Sequence, residues 1–327
     1  MAVIDVTPQV DITALIDSDD VTEGDVLLLK EGIYFQTVNI SKNYIRLIAK
    51  SPEVIFDGKG FLLSAFILSE VVGVTIEGMS IRHYRDDSII IQSGSGNRII
   101  GNRLNNVLSD AIVLISSSGN LIWKNKIWNC SDGIKLSSGS TNNWIIGNIV
   151  KDGFVDAFET SLPSDSNNAF ISNIAINHRD RAFNIFGSNN LFLNNILIDH
   201  AEGIVIDEGM GSLAIGNIIK DNRLRGHIVF NVYSNYFGAE NYVVCNDRVG
   251  MSNIGDFGIF LDNEVAYNGG TGFTLDVLST ANLVMDNKLI CNIPQNIDDN
   301  GTNNNLINNI SKSCRPCESP SDLCSKT

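Results

Sequence analysis

Short apolar runs of three or four residues alternate along this chain with polar corners, and the alternation repeats at a near-fixed period. Between Gly96 and Asn241 each unit reads Asn, a few apolar residues, Asn, an apolar pair, a polar kink, a small residue and a further apolar run. The second Asn falls at Asn102, Asn125, Asn148, Asn173, Asn195, Asn217 and Asn241, in steps of 23, 23, 25, 22, 22 and 24 residues. The register continues through Asn263, Asn287 and Asn309. Self-similarity at such a period marks a solenoid. A unit this short has no room for a helix pair, and it holds three strand-like pieces. In the Asn120 unit they are Leu121-Ile122-Trp123, Lys126-Ile127-Trp128 and Gly133-Ile134-Lys135-Leu136. Three short strands per turn, rich in β-branched residues, predict a three-sided all-β coil. Equivalent strands of successive turns then stack as parallel sheets roughly 4.8 Å apart.

The Asn residues form columns. The first is Asn97, Asn120, Asn143, Asn168 and Asn190, broken at Ser212 and resumed at Asn282 and Asn304. The second is the series above. A third lies four residues beyond it, at Asn106, Asn129, Asp152, Asn177, Asp199 and Asp221. Amides stacked at identical positions donate and accept along the axis, and Asn tolerates the left-handed backbone of a sharp corner. These residues are read as corner staples and not as ligands.

The ends differ from the middle. Val10, Ala14 and Leu15 with flanking Asp predict a short amphipathic helix, and Glu23 to Tyr34 reads as strand, turn, strand. Val74-Thr75-Ile76-Glu77-Gly78 is the first full unit. No linker or charge block interrupts the repeat. The expected division is residues 1–36 as an N-terminal cap and first strands, 37–310 as the parallel β-helix and 311–327 as a Cys-containing C-terminal tail.

Asn97-Arg98-Ile99-Ile100-Gly101-Asn102, Ser109-Asp110-Ala111-Ile112-Val113-Leu114 and Ser131-Asp132-Gly133-Ile134-Lys135-Leu136 resemble the repeats of NosD-like, carbohydrate-binding and sugar-hydrolase β-helices. The opening Gly24-Asp25 strand and Gly32-Ile33-Tyr34 resemble the start of many such coils. The resemblance covers most of residues 70 to 310. It implies a single-stranded right-handed parallel β-helix with a helix capping its first edge, and the repeat from Gly78 to Asn309 makes about ten or more turns of it. It also implies pectate-lyase-like relatives acting on polysaccharide, although fold alone does not fix chemistry. The motif series of polygalacturonases is absent apart from Asp86-Asp87 and Arg225-Gly226-His227, and neither the alginate-epimerase Asp-Pro-His-Asp nor the pectate-lyase Arg-x-Pro-x-x-Arg occurs.

A net charge of −14 argues against sequence-independent nucleic-acid binding, which needs a basic footprint. No run of about 18 apolar residues suggests a membrane span. The start, Met1-Ala2-Val3-Ile4-Asp5, lacks the basic and apolar regions of a signal peptide. The compartment stays open, with an extracellular, cell-surface or spore-surface setting favoured. Oligomerisation also stays open.

Candidate chemistry appears where the repeat departs from itself. The residue before the small residue of each unit runs Asp110, Asp132, Asp156, Arg181, Glu202, Arg225, Val249, Thr271 and Gln295. Arg181, Glu202 and Arg225 predict a ladder of alternating sign. Asp110, Asp132 and Asp156 predict repulsion relieved by a raised pKa or by a cation such as calcium. The plainer alternative is that each Asp caps its turn. The outward residue of the next strand also turns polar, through Val113, Lys135, Glu159, Asn184 and Val205.

Asp156, Glu159, Asp180, Arg181, Glu202 and Arg225 are therefore the candidate catalytic groups. Lys135, Arg179, Asn184, His200, Asp207 and His227 are candidate substrate binders. Arg binds a carboxylate, and carboxyl groups move protons. His178 and His200 can equally be corner residues, and the whole patch can be a solvated charged face. No His spacing suggests zinc. Trp123, Trp128 and Trp144 are expected chiefly in the core, with sugar stacking as the alternative.

Two function classes remain: a carbohydrate-active or carbohydrate-binding coil, as lyase, epimerase or hydrolase, and a non-catalytic surface or assembly scaffold. Cys130, Cys245 and Cys291 are expected to pack as small buried residues. Cys314, Cys317 and Cys324 suggest a disulfide-pinned cap or, alternatively, a redox or zinc motif.

Overall fold

A computed structural model of the chain describes residues 1–230, 233–314 and 324. It contains two compact units, Met1–Phe154 with Ser164–Ala169, and Val155–Pro163 with Phe170–Thr327. Each is a parallel β-helix with three short strands per turn.

In the first unit one sheet stacks Val3–Val6, Val26–Leu29, Arg46–Ala49, Thr75–Glu77, Arg98–Ile100, Leu121–Trp123 and Trp144–Ile146 in that order. A second stacks Gly32–Tyr34, Val54–Asp57, Ser80–Arg82, Arg103–Asn105, Lys126–Trp128 and Ile149–Lys151. A third runs from Val38–Ile40 to Ile134–Ser137. The coil thus begins well before Val74, because Val3–Val6 already pairs with Val26–Leu29. The second unit repeats the plan. One of its sheets stacks Phe158–Thr160, Arg181–Ile185, Glu202–Ile206, Arg225–Val229, Met251–Asn253, Phe273–Leu275 and Ile297–Asp299.

The N-terminal helix is Ile12–Asp17, and Asp11 caps it by accepting the Ala14 N–H at 3.0 Å. Its buried residues are Ile12 and Ile16, spaced one turn apart, and not Val10, Ala14 and Leu15. Among the described residues no helix is long and apolar enough to cross a membrane.

In two of the sheets the middle residue of the three-residue strand points inward, whereas in strands such as Phe158–Thr160 and Phe273–Leu275 the two flanking residues do. Ile99, Ile122 and Ile145 are fully buried, as are Leu104 and Val150. Each such side chain contributes about 1.5–3 kcal/mol. In the second unit the interior is aromatic: Phe158 stacks on Phe183 at 4.8 Å and Phe170 on Phe192 at 5.4 Å.

The corners are closed by amides. Asn125 Oδ1 accepts the Asn102 backbone N–H at 2.9 Å and the Asn102 Nδ2 at 3.1 Å. Asn125 Nδ2 donates to Ile99 O at 2.9 Å and to Asn148 Oδ1 at 3.0 Å. Every donor and acceptor of the amide is satisfied. The same pattern runs through Asn97, Asn120, Asn143 and Asn168, and through Asn195, Asn217, Asn241, Asn263, Asn287 and Asn309.

The left-handed conformation belongs to the residue just before each ladder Asn, as at Gly96, Gly119, Gly101, Lys124 and Asn194. Asn106, Asn129, Asp152, Asn177, Asp199 and Asp221 are such residues, with φ between 54° and 61°. The ladder of their corner lies one position further on, at His178, His200, Asn222, Asn246, Asn268 and Asn292.

Cys130 is buried and free, but Cys245 and Cys291 are not simple packing residues. Cys245 is bonded to Cys324 and Cys291 to Cys314, pinning the tail to the coil as the cap reading expected. Cys317 lies outside the described residues.

Candidate functional site

The residues that break the repeat meet on one sheet of the second unit. Its strands Arg181–Ile185, Glu202–Ile206 and Arg225–Val229 are five residues long, against three or four for the other strands. The register places Arg181 opposite Glu202 and Glu202 opposite Arg225, which is the expected ladder. The small residues beside them are small for a steric reason. A Cβ on Gly203 would stand 2.2 Å from the Gly226 carbonyl oxygen of the next turn.

Arg181 is the hub. Its Nε meets Glu202 Oε2 at 3.3 Å, and its Nη1 meets Asn184 Oδ1 at 2.6 Å and Asp207 Oδ2 at 3.2 Å. Arg225 Nη1 lies 3.9 Å from Glu202 Oε1, and its guanidinium sits 5.9 Å above the Phe230 ring. Arg225 is the most open member, its side chain 41% exposed against 12% for Glu202.

Asp156 lies beneath them, only 1% exposed. It accepts the Arg181 backbone N–H at 2.9 Å and the Asn184 Nδ2 at 2.8 Å. Burial drives its pKa up to about 6, against the pull of those hydrogen bonds and of Arg181, with Asp180 adding to the rise.

Other predicted residues are placed as follows. Glu159 pairs in register with Asn184 and accepts the Ser161 hydroxyl at 2.9 Å. Asp180 and Arg179 are exposed. The Asp180 backbone carbonyl accepts the Ala201 N–H at 2.8 Å and the Glu202 N–H at 3.2 Å.

His200 and His227 are corrections. Both are buried, His227 against the Tyr236 ring at 5.1 Å, and burial pushes both pKa values down to about 3. A neutral imidazole inside the coil cannot meet substrate. His200 is a ladder rung, its Nδ1 accepting the His178 N–H at 3.2 Å.

In the first unit Asp110 Oδ1 accepts the Asp132 N–H at 3.0 Å, and Asp87 Oδ1 accepts the Asp110 N–H at 3.1 Å. Each carboxylate therefore caps the following turn. Lys135 lies 3.5 Å from Asp132 and 4.0 Å from Asp110 and supplies positive charge to both.

The tryptophans reverse the core expectation: Trp123 and Trp144 are 36% and 50% exposed, and Trp128 is half-buried. A concavity that sequence reasoning missed also lies in the first unit, lined in part by Asp57, Lys59, His83 and Tyr84. There Asp57 holds Arg82 at 2.9 Å and His83 at 3.0 Å.

No curated protein matches the chain. Solved structures do. A mannuronic acid specific polysaccharide family 6 lyase from human gut microbiota is 12% identical over 92% of this chain and 83% of its own, with a TM-score of 0.70. The Streptococcus pneumoniae surface protein and adhesin PfbA is 12% identical over 88% and 90%, with a TM-score of 0.61. The A-module of the Azotobacter vinelandii mannuronan C-5 epimerase AlgE6 is 14% identical over 94% and 92%, with a TM-score of 0.54. At these identities the likeness is one of fold. Residues 31–197 match the family described as "Right handed beta helix region", and the chain, coiled as its Asn repeat requires, belongs to that family.

Proposed function

We propose that this chain is a carbohydrate-active β-helix protein that takes an acidic glycan along the sheet face carrying Arg181, Glu202 and Arg225. The supporting observation is the alternating ladder laid over a buried carboxyl whose proton equilibrium sits near neutrality. Arg225, the most open member, is suited to a uronate carboxylate. Glu202, beside it, is suited to take the proton next to that carboxylate. Asp156 is a positioning residue, because it holds Arg181 and Asn184 from below without reaching the surface. An elimination needs a cation on the uronate carboxylate, a base for the adjacent proton and a proton donor for the departing oxygen, roles that Arg225 and Glu202, the latter returning its proton as the C–O bond breaks, can share; this set fits it better than hydrolysis, which needs two carboxyl groups bracketing one bond. Fold neighbours described as polysaccharide lyases and epimerases support the same class.

The second reading is a non-catalytic scaffold. It draws on the full engagement of Arg181 by Glu202, Asp207 and Asn184, and on the adhesin among the fold neighbours. The deciding experiment is a panel of polysaccharides, with and without calcium, followed by reducing ends and by absorbance of unsaturated products. Under the first reading at least one uronate polymer is turned over, and Arg225→Ala and Glu202→Gln each lower kcat/KM by about a hundredfold or more. Silence across the panel leaves the scaffold.

A further inference from the structure

We infer that the first unit carries a second carbohydrate site: a basic, tryptophan-rich face that docks acidic glycan without acting on it. The hexapeptide Trp123-Lys124-Asn125-Lys126-Ile127-Trp128 crosses one corner of the coil. Asn125 and Ile127 turn inward and are buried. Trp123, Lys124, Lys126 and Trp128 consequently all project outward, with Lys124 held at the corner by a φ of 55° and its ammonium 4.5 Å above the Trp123 ring.

The flanking turns extend the face. Strand register sets Arg98 and Trp144 on either side of Leu121, Arg103 beside Lys126, and Lys151 beside Trp128. A shallow concavity lined by Lys126, Trp128, Ile149 and Lys151 lies at its centre. The face thus collects all three tryptophans of the chain and five of its cations; residues 98–105, 121–128 and 144–151 hold no acidic residue, and Asp152 stands at the edge. In a protein with 37 acidic and 23 basic residues, that segregation is local and specific. Lys151 pairs with the adjacent Asp152 at 3.9 Å, and among the described residues Arg98, Arg103, Lys124 and Lys126 form no salt bridge.

The chemistry selects the ligand. Exposed indole faces and the aliphatic Leu121, Ile146 and Ile149 offer flat apolar area to the C–H faces of pyranose rings. The cations at turn-by-turn spacing of roughly 4.8 Å offer one charge for each acidic sugar. Single-stranded nucleic acid also combines stacking with phosphate contacts. It needs a longer basic track than this, however, and the overall charge of −14 repels a polyphosphate. The face holds no carboxylate pair, and the function inferred for it is binding.

The docking site does not depend on turnover at the Arg181–Arg225 ladder, and the two are tested apart. The probe is retention of the intact protein by polygalacturonate or polymannuronate in native affinity gels, with neutral dextran and an oligothymidylate as comparators. The wild type is expected to be retarded by the acidic polymers, less so as salt rises, and not by dextran. Lys124→Glu with Lys126→Glu, and separately Trp123→Ala with Trp128→Ala, are expected to weaken binding by about tenfold or more. All four side chains lie on the outer surface, and an unchanged thermal melt verifies the fold. In an Arg225→Ala background the same two pairs of substitutions are expected to weaken the remaining retention by the same factor, which tells the docking face from binding at the ladder. Absence of retention, retention equal in both variants and the wild type, or tighter binding of the oligothymidylate each overturns the docking site, whatever the ladder does in the turnover assay.

Discussion

His200 occupies a corner where the next turns carry Asn222, Asn246, Asn268 and Asn292. An imidazole there can accept one N–H, but it leaves its Nε2 buried without a hydrogen bond. Its pKa is depressed to about 3, as is that of His227. The ordinary value of about 6.5 applies in the unfolded chain. Because the unfolded chain binds the extra protons, stability is complete above pH of about 6.5 and falls as pH drops toward 3, by up to about 1.4 kcal/mol per pH unit for each histidine. Asp156 acts in the opposite sense. Its raised pKa makes the folded state bind the proton first, so its contribution improves as pH falls from about 6 to its ordinary range. Two histidines outweigh one aspartate, and denaturant unfolding at pH 7 and pH 5 should show a lower midpoint at pH 5. His200→Asn should continue the ladder, fold normally and flatten that dependence; a steeper dependence would refute the assignment of His200 as a rung.

At the scale of a strand and its corner, the ladder Asn is the unit of stability. Asn125→Ala orphans the Asn102 N–H and removes an acceptor from Asn102 Nδ2 in a buried corner. Each unsatisfied group costs about 1–3 kcal/mol. The variant should lose about 3 kcal/mol in urea unfolding, whereas Asn129→Ala, at a half-buried left-handed corner, should lose about 1 kcal/mol from backbone strain and from the bond its Nδ2 donates to Asn106 Oδ1 at 3.1 Å. Equal losses would show that the Asn columns do not differ in role. On the Arg181–Ile185 strand, Arg181→Met leaves Glu202 and Asp207 without the guanidinium they share. It should destabilise the second unit by about 2–3 kcal/mol, as loss of one partner from a partly buried charge network does.

Over the whole molecule, two disulfides tie the tail to the coil, Cys245–Cys324 across 79 residues and Cys291–Cys314 across 23. The chain-entropy account assigns loops of these lengths about 3–5 kcal/mol each. Reductant should therefore lower the melting temperature, and Cys245→Ser should reproduce part of the effect.

How much of this was legible varied with how local the cause is. The columns at Asn97 and Asn102 were plain because every turn must satisfy the same buried N–H and carbonyl, and only an amide does both. The ladder at Asn222 was hidden, since the same column holds Val107, Cys130, His178 and His200 in earlier turns. The Arg181–Glu202–Arg225 ladder followed from counting, because parallel stacking brings equal positions together. Whether a side chain points in or out did not follow. Trp123 and Trp128 read as core by composition, yet in these two strands only the central residue faces inward, so the alternation about Ile122 and Ile127 turns both tryptophans outward.

The sequence by itself determined the repeat, the parallel strands and the amide-closed corners, because each depends on residues within one turn and its copy in the next. Only the tertiary structure decided that His200 and His227 are buried, that Asp156 lies under its arginine, that the tryptophans form an outer face and that Cys245 finds Cys324. Those outcomes depend on which way each corner rotates its neighbours and on contacts between residues far apart in the chain, neither of which a periodic pattern records.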